Sequence, residues 1–273
     1  MRRKILCWFS IQSEKTYRMK SLSRILVITL SSLLVIVCLY AIFRIFICDR
    51  FTIKGVSMEP TLKTGDIVFV NKLLMGARIY TRFDFTTPEL HCFRMPGIRE
   101  PEVGDLVVYN YPEGWEDGKI GFKINYVYCK RCIGCPGDSI SIDKGFYRNS
   151  RVKDIHMPTT HQERLSRMDA EDMKGQHIAR LAYYFAQPGL WTIQDFGPLY
   201  IPAKGDTLVL DSLNVNLYGK EIEYETGIRP SPIEGFYVFK SNWYFLGGDN
   251  VLNSRDSRYI GLVPESFIVG IVI

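Results

Sequence analysis

Histidine is scarce: the 273 residues hold four, and none lies in a recognisable catalytic or metal-ligating motif. That leaves little for the usual imidazole activation of a hydroxyl nucleophile. Strong charge is lacking too. A formal net charge of +5 with 23% charged residues is modest, and 47% hydrophobic residues leave enough for an ordinary core, which excludes a disordered or fibrous chain. Acidic residues are nearly missing from the N-terminus, where Glu14 alone faces Arg2, Arg3, Lys4, Lys15, Arg18, Lys20 and Arg24. This basic cluster abuts an apolar segment, so it reads as a membrane flank and no nucleic-acid partner is expected.

An even cysteine count is also lacking, and seven cysteines cannot all pair within one chain. Cys7, Cys38 and Cys48 lie in or beside the apolar N-terminal region, and Cys92, Cys129, Cys132 and Cys135 lie beyond it. The run "CKRCIGCPGD" has the C-x2-C-x2-C spacing of part of an iron–sulfur ligand set, but the fourth cysteine three residues further on is missing. We read these cysteines as small apolar residues of a strand that runs into a Pro-Gly turn, and expect no metal and no cofactor.

What is present begins with one long apolar run. "ILVITLSSLLVIVCLYAIF", Ile25 to Phe43, carries no charge, and 19 residues at about 1.5 Å each roughly match a hydrocarbon core of about 30 Å. Arg44 can snorkel at its far boundary, and "IFIC" extends the apolar stretch. A cleaved signal peptide is the alternative. The run is longer than the usual signal core and no small-x-small site follows it, which favours an uncleaved anchor. Cys48 lacks the preceding small residue of a lipid-attachment site. The expected organisation is a basic cytoplasmic segment over 1–24, a single span over 25–47, and a domain over 48–273 on the opposite side of the membrane. The final run, "FIVGIVI", is too short to span a second time.

Beyond the anchor one local device recurs: Gly-Asp followed by a short β-prone run, in "GDIVFVN" from Gly65, "GDLVVYN" from Gly104, "GDSISID" from Gly137 and "GDTLVLD" from Gly205. Glycine permits a positive-φ bend, aspartate can satisfy backbone amides at the turn, and β-branched and aromatic residues favour the strand. This spacing predicts a mostly β, antiparallel fold. From about Tyr147 to Tyr200 the texture changes. Leu165, Met168, Ile178, Leu181 and Tyr184 give a broken helical period, which predicts one or two surface helices in an inserted smaller domain over about 147–240. "FKSNWYFLGGDN" reads as a strand and turn, and "GLVPESFIVGIVI" as a Pro-led helical turn and a closing strand.

Two residues carry candidate chemistry. Ser57 sits in "GVSMEPTL" on a tight bend ahead of a strand, and a serine hydroxyl needs a base within hydrogen-bond reach. Lysine serves when neutral, and burial disfavours its charged form. Lys130, in "INYVYCKRCIGCPGD", falls on a strand where alternation puts it on one face with Tyr128 and Cys132. Arg131 points the other way, where it can take a carboxylate.

"GVSMEPTL", "GDLVVYNYP", "YCKRCIGCPGD" and "GDNVLNSRDSRYIGLVPE", in this order after one anchor, resemble the bacterial type I signal peptidases, the leader peptidase family. The resemblance runs in blocks from about Phe51 to Ile273 and leaves 148–200 unmatched. It implies a β-sheet peptidase that removes signal peptides from translocated preproteins in the bacterial inner membrane, as a monomer beside the lipid bilayer and without cofactor. It implies Ser57 as nucleophile, Lys130 as general base, Ser254 as a hydrogen-bond partner that orients the lysine, and Asp256, Arg258 and Arg131 as a supporting ion-pair cluster. Gly55 stands where some members carry a serine for the oxyanion hole, so a backbone amide or water must help, the Ser57 amide being one donor. Phe51, Ile53, Met58, Leu62, Tyr128 and Cys129 are the implied substrate contacts, with small residues expected one and three positions before the cut. Cys135 and Ile260 depart from the family pattern, which has a branched aliphatic and an aromatic there. The alternatives are a specialised maturation peptidase, a self-cleaving repressor, which the anchor argues against, and a membrane-anchored β-rich binding protein with a decayed site.

Overall fold

The computed structural model describes residues 2–82, 87–112, 119–182, 191–232 and 235–273, with side chains from residue 22 onward. Two compact units divide the chain, 1–47 and 48–273. The first is helical: α1, Arg2–Ile42, passes into a π-helical turn, Phe43–Ile47. Its stretch Leu22–Ile47 has a mean hydropathy of 2.8, long and apolar enough to cross a membrane.

The second unit is built on a sheet of seven strands: β1 (Cys48–Thr52), β2 (Ile67–Asn71), β5 (Leu106–Asn110), β6 (Val127–Gly134), β12 (Trp243–Gly247), β13 (Val263–Pro264) and β14 (Ile268–Val272). In space they run β1-β2-β14-β5-β6-β12-β13, and every pairing is antiparallel. Side chains alternate between its two faces. Val107 and Tyr109 of β5 join one buried cluster with Cys132, Tyr244, Leu246 and Ile268, while Val108 joins another with Ile53, Val68, Val70 and Val269. Each fully buried aliphatic side chain contributes about 1.5–3 kcal/mol. A short hairpin, β3 (Arg78–Tyr80) with β4 (Cys92–Arg94), stands off this sheet.

The Gly-Asp device works alike at all four positions. Gly65, Gly104, Gly137 and Gly205 have φ of 96°, 100°, 85° and 95°, the left-handed region that glycine enters freely. In each case the following aspartate accepts from the amide three residues before it: Asp66 from Lys63 at 2.7 Å, Asp105 from Glu102 at 2.9 Å, Asp138 from Cys135 at 2.8 Å and Asp206 from Ala203 at 2.7 Å. The strands that follow are β2, β5, β7 (Ser139–Asp143) and β10 (Thr207–Val209).

Between β6 and β12 the chain leaves the main sheet and builds a second layer. This excursion starts at Cys135, ahead of the expected boundary near 147. It contains a three-stranded sheet ordered β8-β7-β9, with β8 at Phe146–Asn149 and β9 at Phe196–Tyr200, and a two-stranded ribbon of β10 with β11 (Phe236–Val238). Two helices, α2 (Thr160–Arg167) and α3 (Ala170–Gly175), lie in this stretch, but of the residues of the broken period only Leu165 is within one. Met168 caps the end of α2, Ile178 lies beyond α3, and Leu181 forms a β-bridge with Thr192, while buried Leu165 and Met173 anchor the helices. Tyr184 lies outside the described residues. A third helix, α4 (Ser212–Thr226), was not expected from the sequence. Asp211 caps it by accepting from the Asn214 amide at 2.7 Å, and left-handed Gly227 ends it. Both layers share one core, in which Ile133 and Phe245 of the main sheet meet Ile140, Tyr147 and Phe196 of the excursion.

Candidate active site

Ser57 lies in the irregular segment between β1 and β2, and its carbonyl accepts from the Asn250 amide at 3.0 Å while Asn250 Nδ2 donates to Val56 O at 3.2 Å. The turn after β12 therefore grips the serine segment from one side. Lys130 projects from β6, fully buried, and its Nζ donates to Ser57 Oγ in a short hydrogen bond. Its Nζ also lies 6.0 Å from the centre of the Tyr128 ring, as alternation along β6 requires. Burial holds the Lys130 amine below its ordinary pKa, against the opposing pull of Asp256. That pull is blunted because Asp256 is already committed. Arg258 Nε and Nη2 donate to its two oxygens at 2.8 and 2.9 Å, and the Gly248 amide donates at 3.0 Å. Burial disfavours the Asp256 charge, but the Arg258 guanidinium outweighs it and keeps the carboxyl below its usual range.

The charged residues form two separate pairs, not one cluster. Arg131 turns away from Asp256 and meets Asp249 side-on, Nε to Oδ1 at 2.7 Å and Nη2 to Oδ2 at 2.6 Å, with Nη1 donating to Gly104 O at 2.8 Å. Thr61 Oγ1 donates to the same Asp249 carboxylate, which ties the helical turn after Ser57 to β6 through one buried anion. Asp249, Asn250 and Thr61 escaped the sequence reading. Arg258 is flanked by the rings of Tyr147 at 5.9 Å and Tyr259 at 5.4 Å. Ser254 Oγ is buried and hydrogen-bonds neither Lys130 nor any other group, although it lies near enough to Asp256 to favour that residue's charge. A Cβ on Gly248 would collide with the Ser254 side chain and the Ser57 carbonyl, so the turn needs glycine there. Gly55 is exposed, and a Cβ on it would meet nothing within 4 Å.

A groove of about 740 Å³ runs past the serine. Phe51, Ile53, Gly55, Met58, Tyr128 and Cys129 all line it; Leu62 does not, and packs instead against the Ile53–Val68–Val70 cluster. Burial pushes the Cys129 thiol up to about 12, so it is a neutral wall. The groove lies between two strand edges. Among the described residues β1 pairs only with β2, and β12 meets β6 from Arg131 onward, which leaves Val127 to Lys130 paired on the β5 side alone. Among the described residues no group of three or more His, Cys, Asp or Glu side chains is gathered so as to hold a metal.

The family described as "Signal peptidase, peptidase S26" matches this chain over residues 26–273. Signal peptidase I of Buchnera aphidicola subsp. Baizongia pistaciae is 29% identical over 97% of this chain and 80% of its own length. Signal peptidase I of Pseudomonas aeruginosa is 27% identical over 84% of this chain and 64% of its own, and that of Rickettsia felis 29% over 85% and 73%. A crystal structure of a signal peptidase I from Enterococcus faecalis covers 64% of this chain and 98% of its own, at 16% identity and a TM-score of 0.33, a likeness too weak to carry an argument.

Proposed function

The chain belongs to the signal peptidase family, peptidase S26, a serine endopeptidase family that removes signal peptides from preproteins, and on that premise we propose that Ser57 is its nucleophile and Lys130 its general base. The hydrogen bond between Lys130 Nζ and Ser57 Oγ carries this reading, because it joins a serine at a groove to a lysine with a lowered pKa. The preprotein enters in extended form and adds as a strand between the edges of β1 and β6. Neutral Lys130 takes the Ser57 proton as Oγ attacks the scissile carbonyl. The resulting ammonium then protonates the departing amine, leaving an acyl ester on Ser57. Lys130, neutral again, deprotonates a water that hydrolyses the ester, and the proton returns to Ser57.

The developing oxyanion faces the Ser57 amide. Asp249 and Asn250 hold the serine segment, and the Asp256–Arg258 pair keeps a carboxylate beside the lysine without letting it capture the proton. Ser254 takes part as a buried hydroxyl near this pair. Phe51, Ile53, Met58, Tyr128 and Cys129 shape the groove for small side chains one and three positions before the cut. By the excess of basic residues ahead of the span, we infer a cytoplasmic N-terminus and a domain from Cys48 on the outer side of the bacterial inner membrane, acting as a monomer. There the substrate's own apolar segment and the enzyme share one bilayer, which raises their effective concentration.

The detergent-solubilised chain should cleave a peptide bearing an Ala-x-Ala site after the second alanine. Ser57→Ala and Lys130→Met should each lose about 10⁴-fold in kcat/KM with melting curves like the parent's. Near-parental cleavage by either folded variant would overturn the assignment.

A further inference from the structure

One pair within the triple-cysteine run is left unused by the peptidase site. Cys132 Sγ and Cys135 Sγ lie 3.6 Å apart, and both are free thiols. We propose that they form a modification site: a dithiol that closes to an intrachain disulfide on reaction with a disulfide-class oxidant, clasping the end of β6 to the turn that leaves it.

An extended strand sends residues three apart to opposite faces, where their sulfurs cannot meet. Here the chain curls after Ile133. Cys132 Sγ lies 3.7 Å from Gly134 O, and the Cys135 amide donates to Asp138 Oδ2 at 2.8 Å in the Gly-Asp turn. Gly134 lets Ile140 and Ile201 pack close to the chain there, because a Cβ would run into their side chains. Cys129, by contrast, packs with the Ile53–Val68–Val70 cluster, whereas Cys132 is buried in the cluster of Tyr244 and Leu246. The run is thus one pair and one bystander.

A disulfide needs sulfurs about 2.05 Å apart, so closure draws the two together by about 1.5 Å. Cys132 cannot supply that movement. Its side chain is fully buried in the Tyr244–Leu246 cluster, and this burial is what sets it apart, since both residues are held through amide and carbonyl, Cys132 to Asp105 and Gly104 and Cys135 to Asp138. Half-buried Cys135, held through its Sγ to Pro101 O at 3.2 Å, is the half that moves and the half an oxidant reaches. Its thiolate attacks one sulfur of the oxidant, whose other sulfur departs as a thiolate. Cys132, after losing its proton, attacks the Cys135 sulfur of the mixed disulfide and expels the second thiolate. Two cysteine thiols are thereby oxidised and one external disulfide is reduced to two thiols. Neither sulfur contacts Ser57, so closure tightens the junction between the main sheet and the second layer without using the catalytic pair.

The test treats the full chain in detergent with oxidised glutathione, alkylates remaining thiols under denaturing conditions, and digests it with trypsin. The fragment Cys132–Lys144 holds both cysteines. The proposal predicts this fragment lighter than its reduced form by two hydrogens and unalkylated, together with a melting temperature a few degrees above that of the reduced chain. The reductant dithiothreitol reverses both changes, and Cys135→Val shows neither. Alkylation of both thiols, a glutathione adduct on Cys135 without ring closure, or a closed ring with an unchanged melting temperature would each overturn it.

Discussion

Asp249 shows at the scale of single residues why the site holds its shape. Its carboxylate is fully buried and receives both Arg131 and Thr61, so the serine segment and β6 are tied to one anion. Removing one partner of such a pair strands the other charge, whereas replacing both with apolar residues is close to neutral. Asp249→Ala should therefore cost about 3–5 kcal/mol in denaturant unfolding, and Arg131→Met with Asp249→Leu much less. An Asp249→Ala loss under about 1 kcal/mol would mean the pair is solvated. That Ser57 and Lys130 meet could be anticipated because the serine block and the Lys-Arg block are each specific. The role of Asp249 could not: the block "GDNVLNSRDSR" offers two aspartates, and only the folded turn decides that Arg131 takes one and Arg258 the other. Leu62 differs for a related reason, since the turn after Met58 packs it against the Ile53–Val68–Val70 cluster instead of along the groove.

At the scale of elements, the Gly-Asp strands could be read in advance because glycine, aspartate and the β-prone run are all local. α4 could not, because it is wrapped by the core. Val215, Leu217, Tyr218 and Ile222 are buried together with Lys220 and Glu221, so no single apolar stripe marks it. Only Asp211 and Gly227, at its two ends, give a signal. Glu221 makes this helix sensitive to pH. Its Oε1 accepts from the Leu262 amide at 3.4 Å, its Oε2 is buried without a partner, and burial pushes its pKa up from 4.5 to about 7. Between those values the folded chain binds the proton more tightly than the unfolded chain, so stability falls as pH rises through that window, by about 3 kcal/mol in total. Lys220, lowered by burial from 10.5 to about 8, has the opposite sign and raises stability as pH climbs from there toward 10.5. Glu221→Gln should flatten the decline between pH 5 and 7 in urea unfolding; an unchanged slope would show that the carboxyl is solvated.

At the scale of the whole molecule, residues 48–273 form a compact unit with its own core. Ile67 and Phe69 of β2 are about half exposed, and Val56 and Tyr126 near the groove are exposed as well. Exposed apolar groups of this kind can serve as an interaction surface, and under the proposed function at a bilayer they are the groups we propose to meet lipid. A fragment beginning at Cys48 should therefore fold and still sediment with phospholipid vesicles. Replacing Ile67 and Phe69 with serine should weaken that binding severalfold. A folded fragment indifferent to vesicles would sink the lipid assignment while leaving the catalytic one intact.

The central claim is that Lys130 works as a neutral base on Ser57, and the dependence of kcat/KM on pH tests it most directly. Because burial lowers the lysine pKa, the neutral fraction, and with it kcat/KM, should rise about tenfold per pH unit and level off below the ordinary lysine value of about 10.4. A profile flat from neutral to alkaline pH, or one still rising past that value, would contradict it.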